Sequence, residues 1–225
     1  MVKGLTGNQL KLIAMVTMTI DHIGHYLLPQ VLWLRMIGRL AMPIYAYFIA
    51  EGCRYTRSLP KYLGSLAATA LLCQVVTFLA GSLYQCILVT FSMSVGLIML
   101  IKQGRKSKSP LWWLLLMVAI AAAWFVTESL PRLLSGSDYD VDYGFWGTLM
   151  PVVLWLIPKK PLKLLAAAGF LVLIYSNSLL LFLCALCAVA LLALYNGQRG
   201  TAKLKWLFYG YYPLHIAVLY LISLL

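Results

Sequence analysis

Acidic side chains are scarce in this chain of 225 residues, with 6 Asp and Glu against 18 Lys and Arg. Charge of either sign is sparse too, at 11% of residues, while 63% are apolar and mean hydropathy is +0.88. Such a composition excludes a soluble globular domain and makes lipid the solvent in which the fold must be read. No small-residue cleavage site follows the first apolar run, which is too long and too well followed by others to be a secretory signal. No internal repeat is visible, which weighs against inverted-repeat transporters. The 5 cysteines lack a metal or redox spacing. Cys184 and Cys187 lie in an apolar run without a nearby histidine, so they read, with Cys53, Cys73 and Cys86, as small buried thiols, Cys86 nearest the external mouth.

What is present is a series of nine apolar stretches, roughly 10–28, 34–52, 62–80, 84–101, 111–127, 144–157, 162–175, 179–195 and 206–224. The predicted architecture is an all-α, polytopic transmembrane helical bundle of about nine spans. A single integral-membrane domain fills residues 1–225, leaving little room outside the bilayer. Basic residues fall between the spans. With a cytoplasmic N-terminus, the inner ends and loops hold Lys3, Lys11, Arg54, Arg57, Lys61, Lys102, Arg105, Lys106, Lys108, Lys159, Lys160, Lys163, Arg199, Lys203 and Lys205, 15 of the 18. Only Arg35, Arg39 and Arg132 fall outside. The positive-inside rule therefore predicts the N-terminus inside and the C-terminus external. The net charge of +12 accordingly reads as a topology signal and a contact for anionic membrane lipids, with no role for nucleic acid.

The first stretch carries Asp21, His22 and His25 near its middle. A carboxylate near the bilayer centre costs about 2.5–3.5 kcal/mol on insertion scales, so Asp21 is expected to face protein or a hydrated cavity. Asp21 and His25, four apart, share a helix face, and His22 points about 100° away. Arg39 on the second stretch reaches a similar depth, about 8–10 Å from the outer surface. His215 on the ninth approaches from another wall, after Tyr211, Tyr212 and Pro213. Pro43, inside the second stretch, is predicted to bend the helix that places Arg39 and Tyr45. Three readings are open at this point: a structural Asp21–Arg39 ion pair, a zinc site without a helical metal motif, and a proton-active centre. In the last, a histidine oriented by Asp21 is general base and an arginine stabilises an oxyanion.

At the inner side Arg54, Arg57, Lys61 and Arg105 suit either topology anchoring or a phosphate-binding mouth, with Glu51 three residues before Arg54. On the outside, Asp142 and Tyr143 enter the sixth stretch beside Gly144 and Trp146, and read as an interfacial anchor or a substrate-contacting turn. Asn196-Gly197 reads as a plain turn.

Taken together, several segments resemble the TraX family, associated with conjugative-pilus acetylation. They are Leu10-Lys11-Leu12-Ile13-Ala14 leading to Asp21-His22-Ile23-Gly24; Gly38-Arg39-Leu40-Ala41-Met42-Pro43; Glu51-Gly52 with Thr56-Arg57 and Tyr62; Asp142-Tyr143-Gly144 with Gly147; Tyr195-Asn196-Gly197-Gln198-Arg199-Gly200; and Phe208-Tyr209 with Tyr212-Pro213-Leu214-His215. The resemblance implies a multi-pass protein of the cytoplasmic (inner) membrane and distant similarity to membrane acyltransferases. It further implies an acetyltransferase using cytoplasmic acetyl-CoA as donor, and as acceptor the pilin N-terminus or an envelope amine or hydroxyl. On that reading Asp21, His22, Arg39 and His215 are catalytic, and Arg54, Arg57, Lys61 and Arg105 bind the donor. His25, Tyr45, Glu51, Asp142, Tyr143 and Tyr212 contact substrate, and no metal is expected. The competing classes are a non-enzymatic scaffold for pilus or envelope assembly and a proton-coupled transporter.

Overall fold

Thr6 starts the first helix through a reciprocal capping box. Its hydroxyl accepts from the Gln9 N–H at 3.3 Å, and the Gln9 side chain accepts from the Thr6 N–H at 2.8 Å. The computed structural model describes residues 4–224, with Lys205 by backbone alone, so the inner placement of Lys3 and of the Lys205 side chain lies outside the described residues. The fold is all-α. In chain order the helices are α1 (Gly7–Tyr26), α2 (Leu32–Gly38), α3 (Ala41–Tyr55), α4 (Leu59–Leu79), α5 (Ile87–Ser107), α6 (Pro110–Trp124), α7 (Leu130–Leu133), α8 (Gly144–Leu156), α9 (Lys160–Ile174), α10 (Leu179–Ala193) and α11 (Lys205–Ser223). A π turn, Phe125–Ser129, joins α6 to α7.

Three described helical stretches are both long and apolar enough to cross a bilayer: Leu59–Leu79, Ile87–Ser107 and the continuous Pro110–Leu133. Nine were expected from the apolar runs, and the difference has three causes. Helices α1 and α11, at 20 and 19 residues, are long enough but carry too many polar side chains to count as apolar spans. The second run does not form one helix, because the chain breaks at Arg39 and Leu40 between α2 and α3. Pro43 then sits in the first turn of α3, where its missing N–H would have had no helical partner, so it marks a helix start rather than the expected bend. Helices α8, α9 and α10 have only 13, 15 and 15 residues. At 1.5 Å per residue they reach about 20–23 Å, short of a hydrocarbon layer of about 30 Å. Pro60 and Pro110 lie in the first turns of α4 and α6, behind the capping hydroxyls of Ser58 and Ser109.

The chain divides into two compact units, one drawn from Met1–Phe48 with Ile157–Leu225 and the other Ile49–Leu156. In the first, α1 packs on α2 and α11, and α10 on α9 and α2. The segment after α10 closes on the start of α1. Gly7 N–H and Asn8 N–H donate to the carbonyls of Gln198 and Arg199 at 2.8 and 2.9 Å, and the Asn8 amide donates to Ala202 O at 2.7 Å. Two orphan donors of a helix N-terminus are thus satisfied by a distant loop. Gly200 allows this with φ +92, and a side chain there would press on Asn8.

In the second unit α5 is the central helix, flanked by α4, α6 and α8. Its buried hydroxyls tie it to neighbours: Thr90 donates to Asp142 O at 2.6 Å and Ser94 to Thr148 O at 2.7 Å. Such bonds hold helices together where surrounding lipid offers no hydrophobic drive. The loop 80–86 is stitched to 138–142 by Gln85 N–H to Asp140 O at 2.7 Å, Asp142 N–H to Gln85 O at 2.9 Å, and Tyr84 hydroxyl to Asp142 Oδ1 at 2.8 Å.

In this exposed loop the Ser82 hydroxyl and then the Leu83 N–H donate to Asp138, and hold its carboxyl below the usual carboxylate range. A depressed carboxyl stabilises the contact above its unfolded pKa and releases it as pH falls through the folded value. The Leu83 amide is therefore expected to exchange slowly at neutral pH and faster on acidification below about pH 4. Hydrogen exchange read by mass spectrometry checks this; in Asp138→Ala the amide should exchange fast throughout.

Candidate functional site

Asp21 leaves α1 toward α2. It is 8% exposed, and both its oxygens are taken: Arg39 Nη2 donates to Oδ1 at 2.7 Å and Arg35 Nη1 to Oδ2 at 2.6 Å. The two arginines are one helical turn apart, and Arg39 Nε also donates to the Arg35 carbonyl at 3.1 Å. Gly38 makes the approach possible, since a methyl group at this position would occupy the space of the Asp21 carboxylate. Two guanidiniums on one carboxylate leave a formal charge of +1 on the cluster. Asp21 is the single acid of its unit's sequence.

His22, the next residue, points toward α11. Its Nδ1 lies 2.7 Å from His215 Nε2, and His215 Nδ1 lies 2.9 Å from the Tyr211 carbonyl. A carbonyl only accepts, so His215 carries its proton on Nδ1 and, when neutral, offers the lone pair of Nε2. His22 in turn donates from Nδ1, which leaves the lone pair of its own Nε2 as the proton-accepting end of the chain. The imidazole planes differ by 13° with centroids 4.9 Å apart, and the short N···N distance means that they meet edge to edge. The Tyr211 ring lies parallel to His215 at 5.0 Å, and the Tyr212 ring stands across both His215 and His22, at 5.3 and 6.1 Å. Tyr211 is itself held: Thr19 gives its proton to Met15 O at 2.8 Å, so the Tyr211 hydroxyl donates to Thr19 at 2.7 Å.

Four sequence-predicted residues, Asp21, His22, Arg39 and His215, are thus brought into one unit, but in two arms. His22 takes its orientation from His215, in place of the Asp21 contact that the sequence suggested. Arg35, Tyr211 and Thr19 were not singled out. Arg35 lies one turn before Arg39 and Tyr211 one turn before His215, a spacing that the sequence does display. His25 is exposed, with its ring edge-on to Tyr26 at 4.8 Å, and does not join the histidine pair. Tyr45 is an electrostatic neighbour of Tyr211. Among the described residues no group of three His, Cys, Asp or Glu side chains is arranged to hold a metal ion.

In the second unit the basic residues gather on Trp155. Arg54 Nη2 donates to its carbonyl at 2.6 Å, with Nε 4.0 Å from the buried Glu51, and the Arg105 guanidinium lies 5.7 Å from its ring centre. Arg57 and Lys61 are exposed. Asp142 and Tyr143 form the turn into α8, and Tyr143 has a left-handed backbone with φ +62, which is rare for a residue with a side chain.

The family profile described as TraX protein matches residues 6–223, almost the full length. The chain belongs to the TraX family. This TraX-family chain is 28% identical over 235 residues to "Probable fimbrial assembly protein FimC, serogroup H1" of Dichelobacter nodosus, a match covering 94% of the chain and 93% of that protein. A shorter match, 54% identical over 39 residues, is to an uncharacterized protein of Rickettsia prowazekii (strain Madrid E), and covers 17% of the chain and 16% of that protein. No solved structure matches.

Removing one partner from a buried ion cluster leaves charge uncompensated, at a cost of about 3–5 kcal/mol. Asp21→Ala in this TraX-family protein is expected to lose stability of that order, and Gly38→Ala to disrupt the same contact sterically. Arg35→Ala should cost clearly less, because the Arg35 side chain is 33% exposed against 11% for Arg39. Thermal unfolding in detergent orders the variants.

Proposed function

We propose that this membrane-embedded TraX-family protein is an acetyltransferase that moves an acetyl group from cytoplasmic acetyl-CoA to an amine or hydroxyl acceptor. The hydrogen-bonded chain from Tyr211 O through His215 to His22 carries the reading, because it presents an unprotonated Nε2 at a fixed place. Family membership supports it, as does a relative whose printed name is a fimbrial assembly protein; by that analogy the acceptor is a pilin N-terminus or another envelope component.

His22 Nε2 takes the proton of the attacking amine or hydroxyl as the new bond to the acetyl carbonyl carbon forms. The positive charge is shared with His215 along the 2.7 Å contact. Arg35 and Arg39 are electrostatic neighbours of His22 and favour the oxyanion of the tetrahedral intermediate. Asp21 holds both guanidiniums in place. When the carbon–sulfur bond breaks, His22 returns its proton to the departing thiolate, so no net proton is gained. Tyr212, whose ring stands across both imidazoles, and Tyr45 form the contact surface for the acceptor. His25 in the first unit, and Glu51, Asp142 and Tyr143 in the second, are further proposed substrate contacts. Arg54, Arg57, Lys61 and Arg105 are the proposed partners of the donor's phosphates, Arg57, Lys61 and Arg105 being the exposed members.

For topology, we propose that the N-terminus lies inside and the C-terminus outside, with the inner membrane as location. The distribution of lysine and arginine supports this. A second reading, a scaffold for pilus or envelope assembly, draws on the saturated Asp21 cluster, which suits packing as well as it suits positioning.

Incubation of the purified protein with labelled acetyl-CoA and membrane extract, followed by mass spectrometry of labelled products, tests donor, reaction and acceptor together. His22→Gln is expected to lower transfer at least about 100-fold while retaining donor binding, and Arg105→Ala to weaken donor binding. A folded His22→Gln protein that transfers normally would overturn the histidine mechanism, and wild-type protein giving no labelled product would favour the scaffold. Reporter fusions at the two termini should read opposite sides of the membrane.

A further inference from the structure

Cys73 and Cys86 stand apart from the proposed chemistry, yet the fold places them together. Helix α5 begins below the end of α4, because the loop between them folds back along α4. Gln74 clasps that loop with both ends of its amide: Nε2 donates to Tyr84 O at 3.1 Å, and Oε1 accepts from Cys86 N–H at 3.0 Å. Cys73 precedes the clasping residue and Cys86 is the clasped one. Both are buried, at 0% and 4% exposure, both are free thiols in this structure, and each is the other's electrostatic neighbour. The other described cysteines have different surroundings. Cys53 is near Lys102, and Cys187 donates to Leu183 O within its own helix.

We propose that Cys73 and Cys86 are a modification site, joined as a disulfide when the protein assembles in its membrane. The proposal rests on the orientation given above, in which the 80–86 loop faces the exported, oxidising side. The step is thiol–disulfide exchange with an oxidised protein dithiol. One thiolate attacks the incoming disulfide, the second cysteine resolves the mixed disulfide, and two electrons and two protons pass to the oxidant, which leaves as a dithiol. Because both sulfurs are buried once α4 and α5 meet, exchange precedes that contact, and the finished bond is shielded from reductants.

The bond would close a short loop and fix the strand of backbone that carries the Gln85–Asp140 and Tyr84–Asp142 contacts. Asp142 and Tyr143 would be held in turn, so the cross-link sets the entrance to α8.

Protein extracted from membranes under acid quench, denatured and alkylated without reductant provides the test. Cys53, Cys184 and Cys187 are expected to be alkylated and Cys73 and Cys86 to be protected, becoming reactive only after reduction. In Cys86→Ser, Cys73 should become alkylated without reductant. Alkylation of both residues in the unreduced wild-type protein overturns the proposal, as does continued protection of Cys73 in Cys86→Ser. The terminal reporter fusions judge the orientation separately. Correct orientation with free thiols would sink the disulfide alone.

Discussion

A carboxylate enclosed by apolar helices is tolerable only if its charge is met by donors that are themselves held in place. Asp21 is met twice over, by Arg35 and Arg39, and this requirement shapes what surrounds it. It needs a short α2 that presents two arginines one turn apart, a break in the chain after Gly38, and no side chain at Gly38 itself. The break converts a long apolar run into two helices and brings Pro43 to a position where it costs nothing.

The same helix α1 that spends Asp21 on anchoring turns the next residue, His22, toward His215. Successive residues on a helix diverge by about 100°, so Asp21 can face α2 while His22 faces α11. One arm supplies fixed positive charge, and the other an imidazole whose tautomer is dictated by a carbonyl two bonds away. The division also explains why the unit has so little acid. Its one carboxylate is already saturated by two guanidiniums.

The second unit solves a different problem. Its three long apolar stretches are joined by close packing and by the buried Thr90 and Ser94 hydroxyls, and its charged contacts collect at the ends of the helices. At one end Arg54 and Arg105 meet at Trp155, and at the other the 82–86 and 138–142 segments are laced together. Glu128 belongs to the latter end; from within the π turn its Oε1 accepts from the Phe145 N–H at 3.2 Å, at the start of α8. The basic residues expected at a mouth are present, but Arg54 is also a structural tie between α3 and α8.

Composition and hydropathy determined that the protein is an α-helical membrane bundle, because apolar runs with so few charges have no other stable home. Asp21, His22, Arg39 and His215 were legible as polar intruders for the same reason, and the spread of motifs along the chain was enough for the family. What the sequence left undecided was which intruder meets which. That depends on the direction each side chain takes from its helix and on where helices stop, quantities set by packing between segments up to 193 residues apart, as for His22 and His215. Hence the pairing of Asp21 with two arginines, the transfer of His22 to His215, the exposure of His25 and the break after Gly38 were all decided by tertiary structure. Local periodicity carries depth and face, but not partner.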